Sequence, residues 1–562
     1  MSTRIHRHEG APSFSNRLLR RIIRPMKRSA VIALLCVYLA FAASAVVSRA
    51  VFERLPHLED EFAYLYQARI FARGQIMIET PQPVRAYWQP FLINHNGHRF
   101  GKYTPGWPAL LAMGIGLNQP WVINAWLMML TVALIYRLGS AIYNRPTGAI
   151  AALLVATSPA ALLLAGTLMS HISGLFFTTL FLYALWRVER RHHTTRWGAI
   201  GGLALGVLVI TRPLTAVGIA APYVIYSLGR VFWAGFRAPD TFGAVLGPLV
   251  VLGVVASAIS LAWPAYNHRA TGLPGEPFGG YLVRFARGDK NTNLYRYIWD
   301  YDRVGFGPGH GRRAEGHTLD AGWEHTKTDL KCAARDLFGW ALPAEDGLTV
   351  EESECLVSSP GYSWLMLPVG LLLGARRRWT WLLAALPLSI ITVYLAYWIG
   401  GTVYSARYYA EAIGAAALIS AAGIATLARW FNQWASRRQL PRPGAALTLA
   451  VAALALYALA VYSPARMRPL RGYGRVAQNQ LIALEAARHE PERPVLVIAY
   501  GEHHWRDIAT LMAMTSPFRD SDIVLARDPN RTDAAQIRAQ APEREILYFV
   551  GGELSHAPAA AP

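Results

Sequence analysis

An acidic triplet, Glu59-Asp60-Glu61, closely follows the apolar run 29–50, which is long enough to cross a bilayer. Each carboxylate would cost roughly 2.5–3.5 kcal/mol at mid-bilayer, so the three must face water or a polar cavity at a membrane surface. That makes them the first place to look for proton-transfer chemistry. Three cations, Lys102, Arg212 and Arg407, stand near the ends of later apolar runs, each beside aromatic or proline residues: Lys102-Tyr103-Thr104-Pro105-Gly106-Trp107, Thr211-Arg212-Pro213-Leu214-Thr215 and Arg407-Tyr408-Tyr409. Guanidinium and ammonium groups are the residue types that bind phosphate. Each cation also has a plainer reading, as a side chain snorkelling to the interface. The triplet likewise reads as a solvated helix start, where acids favour the helix dipole.

The elements that must position these residues are membrane spans. The chain has 562 residues, 53% hydrophobic and 16% charged, with a net charge of +20. Its hydrophobicity gathers in blocks, which excludes a soluble multidomain enzyme and indicates an α-helical polytopic membrane protein. Eleven blocks are long enough to span: 29–50, 120–142, 147–167, 172–187, 197–211, 213–229, 243–264, 361–374, 379–400, 405–428 and 444–463. The first is longer than the apolar region of a cleaved leader, so it is read as a retained helix. Arg and Lys crowd alternate connections, from the N-terminal tail to Arg376-Arg377-Arg378 and Arg437-Arg438. The positive-inside rule then predicts a cytoplasmic N-terminus, with segments 51–119 and 265–360 and the tail after 463 outside. The basic balance reports topology and attraction to anionic membrane lipid, and no nucleic-acid partner is expected.

Three regions follow: a basic tail over 1–28, a membrane domain over 29–463, and a small external α/β domain over 464–562. Residues 57–74 read as an amphipathic helix along the interface, ending at Gly74. Residues 91–100 read as a hairpin around Asn96-Gly97. Segment 108–117 is too short to span and dips into the outer leaflet. The 265–360 segment has the length of a lid over a site. It carries Cys332 and Cys355, for which a disulfide and two separate thiols are both open. In the tail, 495–500, 523–526 and 546–550 read as strands, and 503–514 and 531–540 as helices. His503-His504 and the other scattered histidines have no metal-ligand spacing, so no metal ligand is assigned, and a divalent-metal requirement stays open.

In this setting Glu59-Asp60-Glu61-Phe62-Ala63-Tyr64, followed by Lys102-Tyr103-Thr104-Pro105-Gly106, resembles the first external loop of the GT-C glycosyltransferases. The likeness is to the protein O-mannosyltransferases and to the bacterial transferases that move 4-amino-4-deoxy-arabinose onto lipid A. It extends through Arg212 and Arg407-Tyr408-Tyr409 and covers most of residues 29–430. The resemblance implies that Asp60 is the catalytic base and Glu61 the second acid of the pair. It further implies a donor-phosphate site at Lys102, Arg212 and Arg407, with substrate contacts from Tyr103, His171 and Tyr408. His171 departs from the arabinose transferases, which carry a carboxylate there; a lone histidine at a helix end is more often a hydrogen-bonded structural residue.

The implied activity is a membrane glycosyltransferase that moves a sugar from a polyprenyl-phosphate donor to a cell-envelope glycan, lipid or protein acceptor. Transfer would invert the anomeric centre on the external face of the bacterial inner membrane. A multi-pass secondary transporter is the alternative, but transporters place ionisable groups near the bilayer midplane. Here the one acid within the expected spans is Glu411, near an end.

Overall fold

The computed structural model describes residues 28–190, 194–271, 304–308, 310, 315–343, 360–439, 443–501 and 504–557. The basic tail before Arg28, most of the 265–360 segment, Cys355 and His503 lie outside the described residues. Nine described helices are long and apolar enough to cross a membrane, or up to ten if the bent pair Arg145–Ala156 and Pro159–Gly166 is one span. The expected count of eleven is corrected at 361–374, where only Met366–Gly374 is helical. Nine residues rise about 13.5 Å, less than half the hydrocarbon thickness. Outward faces of the spans are apolar; Leu35, Tyr38 and Phe236 are all more than 60% exposed, as a lipid-facing surface requires.

The bent pair breaks by 53° for a local reason. Asn144 caps the first helix by accepting the Thr147 N–H at 3.0 Å, and Ser158 caps the second by accepting the Ala161 N–H at 3.3 Å. Pro159 at the start of the second helix pushes Ser158 to an extended conformation, so the first helix cannot run on through it. The second helix ends at Gly166, and the short turn 167–170 leads into the next span, His171–Glu189.

Segment 51–119 builds the roof over this end of the bundle. The Glu59–Ala72 helix is followed by a three-stranded antiparallel sheet of β1 (Ile78–Glu79), β2 (Leu92–His95) and β3 (His98–Gly101), in the order β1-β3-β2. The β2–β3 turn is Asn96-Gly97, both at positive φ (47° and 76°), as the sequence predicts for a two-residue hairpin. The Gly106–Gly116 helix is the short apolar segment. A Cβ at Gly106 would meet Ile210 O and Thr211 Oγ1 at 2.6 Å, so glycine allows this helix to start against the end of the Thr194–Thr211 span.

The expectation of an amphipathic interface helix at 57–74 is corrected. Nine of the fourteen residues of Glu59–Ala72 are buried, on more than one face. One side packs on the membrane body through Tyr64, Leu65 and Ala68. Phe62 and Leu55 instead join the core of a C-terminal α/β unit with Val476, Val495 and Met512. That unit holds β4 (Val495–Ala499), β5 (Ile523–Arg527), β6 (Glu545–Val550) and β7 (Glu553–Ser555), in the order β5-β4-β6-β7. The first three are parallel and β7 is antiparallel to β6. Arg69 donates to Thr515 O at 3.0 Å, Arg506 pairs with Glu59 at 3.4 Å and Arg73 pairs with Asp520, which tie the unit to the same helix.

Candidate active site

A cavity of about 650 Å³ opens between the roof and the ends of the spans. Asp60, Lys102, Tyr103, His171, Arg212, Arg407 and Tyr408 all line it. They come from five places: the start of the Glu59–Ala72 helix, the segment after β3, the start of the His171–Glu189 span, the junction at Arg212 between the Thr194–Thr211 and Pro213–Arg237 helices, and the 3₁₀ turn Arg407–Ala412 before the Ile413–Ser436 helix. Glu61 does not line it.

Asp60 sits in the first helical turn, and the Tyr103 hydroxyl donates to its Oδ1. Tyr64, four residues on and so on the same helix face, holds its ring 4.6 Å from that of Tyr103, tilted by 39°, and also lines the cavity. Lys102 Nζ lies 3.9 Å from the centroid of the Phe91 ring and 4.8 Å from that of Tyr103, a cation–π cradle at the cavity wall.

Glu61 occupies a different environment from its neighbour. Its side chain is fully buried and its carboxylate accepts three backbone N–H groups, from His57 (2.8 Å), Leu58 (3.0 Å) and Leu168 (2.6 Å). Two of these close the start of its own helix, and the third ties that helix to the turn 167–170. The same turn accepts bonds from Trp107 Nε1 at Leu168 O (2.8 Å) and from Asn124 Nδ2 at Thr167 O (2.7 Å) and Met169 O (2.9 Å). Glu61 is therefore placed to hold Asp60 and His171 in register, and its carboxylate, which the resemblance implies is the second acid of the pair, lies off the cavity lining and bonded to backbone. Glu61→Ala would leave three buried donors without an acceptor, at about 1–3 kcal/mol each. Glu59→Ala, removing a partly exposed bridge, is expected to cost under about 1 kcal/mol. Thermal unfolding of the two variants in detergent checks the contrast.

Arg212 is less available than the sequence implies. Its Nε lies 2.8 Å from Glu411 Oε1, with both side chains buried. Its Nη1 donates to Ser170 Oγ and its Nη2 to Tyr394 Oη, each at 3.2 Å. Gly174 leaves room for this pair, since a Cβ there would sit 3.0 Å from Glu411 Cδ and 3.1 Å from Arg212 Cδ. Arg407 differs: it is 9% exposed, and its Nε and Nη1 make no hydrogen bond among the described residues. Its guanidinium lies 5.3 Å from the Tyr408 ring, which in turn stacks on Tyr394 at 4.9 Å. His171 is likewise buried with both ring nitrogens unbonded among the described residues, so the expected hydrogen-bonded structural histidine is not what the fold contains.

The turn before Arg407 is held from the Leu319–Asp336 helix. Asp329 accepts the Gly401 N–H at 3.1 and 3.3 Å, and Gly401 O accepts the Arg407 N–H at 3.2 Å. Burial pushes the Asp329 carboxyl up to about 7, against the Gly401 N–H and the Arg407 charge, which both favour the ionised form. A raised carboxyl stabilises the fold fully below its ordinary value near 4, and that contribution is lost as pH rises through about 7. Wild-type thermal stability should therefore fall between about pH 4 and pH 7 relative to Asp329→Asn, read as the difference between two melting-versus-pH curves.

Asp60 is the only carboxylate, and His171 the only imidazole, lining the cavity among the described residues. Among the described residues, no trio of metal-ligating side chains gathers there. Tyr64, Ser170, Tyr394, Tyr397 and Trp263 also line the cavity and were not singled out in the sequence. Only Tyr64 carried a signal, its four-residue spacing from Asp60.

Residues 107–260 match the model of the dolichyl-phosphate-mannose-protein mannosyltransferase family. That stretch contains His171 and Arg212 but neither Asp60, Lys102 nor Arg407. ArnT from Cupriavidus metallidurans, solved bound to undecaprenyl phosphate, superposes over 92% of this chain and 89% of its own, with a TM-score of 0.50 and 14% identity. The protein has the GT-C fold. The oligosaccharyltransferase of Archaeoglobus fulgidus in its apo form covers 87% of this chain at 14% identity and a TM-score of 0.47, and this chain spans 65% of its length. The same archaeal enzyme in complex with an inhibitory peptide and a dolichol-phosphate gives 15% identity and a TM-score of 0.48, over 92% of this chain and 69% of that one. No curated protein sequence matches the chain significantly. Within the GT-C fold, the roof segment 51–119 and the ends of the spans enclose the cavity.

Proposed function

We propose that this protein is an integral-membrane glycosyltransferase that moves a sugar from a polyprenyl-phosphate donor to an acceptor on the non-cytoplasmic face. The observation that carries the reading is Arg407, a buried cation with two nitrogens unbonded on the wall of a cavity that also holds Asp60. A buried guanidinium with two nitrogens unbonded is costly, and an anionic ligand offsets that cost. The undecaprenyl phosphate of the ArnT structure has the chemistry that fits: a phosphate for Arg407 and Lys102 and an apolar chain for the membrane.

In the reaction the acceptor oxygen or nitrogen attacks the anomeric carbon from the side opposite the carrier. As that bond forms, Asp60 takes the acceptor's proton and the bond from the anomeric carbon to the phosphate oxygen breaks, inverting the centre. The electron pair leaves on polyprenyl phosphate, whose growing charge faces Arg407 and Lys102. Arg212, neutralised by Glu411, orients Ser170 and Tyr394 around the site, and Tyr103 fixes the Asp60 carboxylate. His171 and Tyr408 border the space left for the sugar. In this reading, which the Arg-rich connections support, the N-terminus is cytoplasmic and the cavity and C-terminal unit face the external, periplasmic side of a bacterial inner membrane.

Proteoliposomes holding the purified protein, a polyprenyl-phosphate sugar and candidate glycan, lipid or protein acceptors test this. Transfer with release of polyprenyl phosphate and no nucleotide is the expected result. Uptake of solute without transfer would favour a transporter and overturn the reading.

A further inference from the structure

Outside the cavity lining, three residues that the sequence separates widely come together at the edge of the C-terminal sheet. His489 follows the Asn479–Ala487 helix, Glu545 opens β6, and His556 follows β7. One potential ligand atom from each lies within 4.8 Å of the other two. The two imidazole rings stack, 3.6 Å between centroids and 13° apart. His556 Nε2 lies 3.5 Å from Glu545 Oε1.

We propose that His489, Glu545 and His556 form a divalent-metal site of zinc type that staples the end of β7 to the loop after the Asn479–Ala487 helix. Two imidazoles and one carboxylate are a donor set that zinc accepts, with a fourth position left to water. The carboxylate is already fixed: Glu545 is 6% exposed, and its oxygens accept the backbone N–H groups of His489 at 2.7 Å and Glu490 at 3.4 Å. Such support around a ligand is what orients it for a metal. Both histidines are exposed, which gives the ion an entry path and the rings freedom to turn. Tetrahedral bonds of about 2.0–2.2 Å place ligand atoms about 3.3 Å apart, so small rotations of the two rings complete the site. His556 Nε2 lies 2.9 Å from Ala487 O, an oxygen that can only accept, so this nitrogen carries a proton there. The metal takes the place of that proton, which leaves to solvent.

A metal here links three segments that otherwise meet through β-pairing and a few hydrogen bonds, and its binding energy adds to the stability of the unit. The test needs no transfer activity, so it stands apart from the proposed reaction. Tag-free full-length protein in detergent, stripped with a chelator, is titrated with Zn²⁺ calorimetrically and melted with and without the ion. The expected result is one saturable equivalent and a higher melting midpoint. His489→Ala and His556→Ala should each weaken binding at least about tenfold and abolish the midpoint shift. Both side chains are exposed, so the variants should fold, and their metal-free melting curves should match that of the stripped wild type. Absence of a saturable equivalent in the wild type would overturn the proposal, as would variants that bind and shift like it.

Discussion

Asp60→Asn is expected to lower the transfer rate by about 10²–10⁴-fold, or about 2.7–5.4 kcal/mol of barrier at 1.36 kcal/mol per decade. The substitution is close to isosteric, and the amide oxygen can still accept the Tyr103 hydroxyl that now meets Asp60 Oδ1. The pocket should therefore keep its shape while losing the group that takes the proton. Donor binding should not weaken, because removing a negative charge near a phosphate site relieves repulsion. The signature is a large fall in kcat with little change in donor KM, measured with a radiolabelled or fluorescent lipid-linked sugar. An Asn variant with wild-type kcat would remove Asp60 as the base.

Arg407→Met is expected to lower kcat/KM by about 10²–10³-fold, the size reported for removing one preorganised donor from developing negative charge. Its effect on stability should run the other way. The guanidinium is buried with Nε and Nη1 unbonded, so methionine of similar length removes a desolvation penalty with little loss of packing. Activity should fall while the melting midpoint holds or rises, a pattern expected of residues kept for function at a cost in stability. The same substitution at Arg212 should destabilise, since it would strand the buried carboxylate of Glu411. A joint loss of stability and activity in Arg407→Met would instead mark Arg407 as a structural cation.

Much of the fold could be read locally. Asn96-Gly97 announced its hairpin because both positions need positive φ, and most spans announced themselves by length and apolarity. The β4, β5 and β6 strands stood out as short β-branched runs. Legibility failed where a partner lies far along the chain. Glu61 and Asp60 are adjacent and chemically alike in the sequence. What separates them is Leu168, 107 residues away, whose N–H claims the Glu61 carboxylate. Arg212 resembles Arg407 in the sequence, and what sets it apart is Glu411 beside it in the fold. The helix of Asp60 read as amphipathic because its second apolar face has no visible reason in the sequence. That reason is the C-terminal unit, whose Val495 and Met512 cover Phe62. Segment 361–374 has the composition of a span, but only nine residues of it are helical. His489, Glu545 and His556 share no motif spacing, since pairing between β4, β6 and β7 assembles them.

The central claim is that this cavity holds the phosphate of a lipid carrier against Arg407, with Asp60 free to act on the acceptor. Equilibrium binding of polyprenyl phosphate, beside the uncharged polyprenol, tests it without knowledge of the sugar or acceptor. Wild-type protein and Asp60→Asn should bind polyprenyl phosphate at least about tenfold more tightly than polyprenol, and Arg407→Met should lose that preference. Equal affinity of the wild type for the phosphate and the alcohol, or a preference that survives in Arg407→Met, would contradict the account.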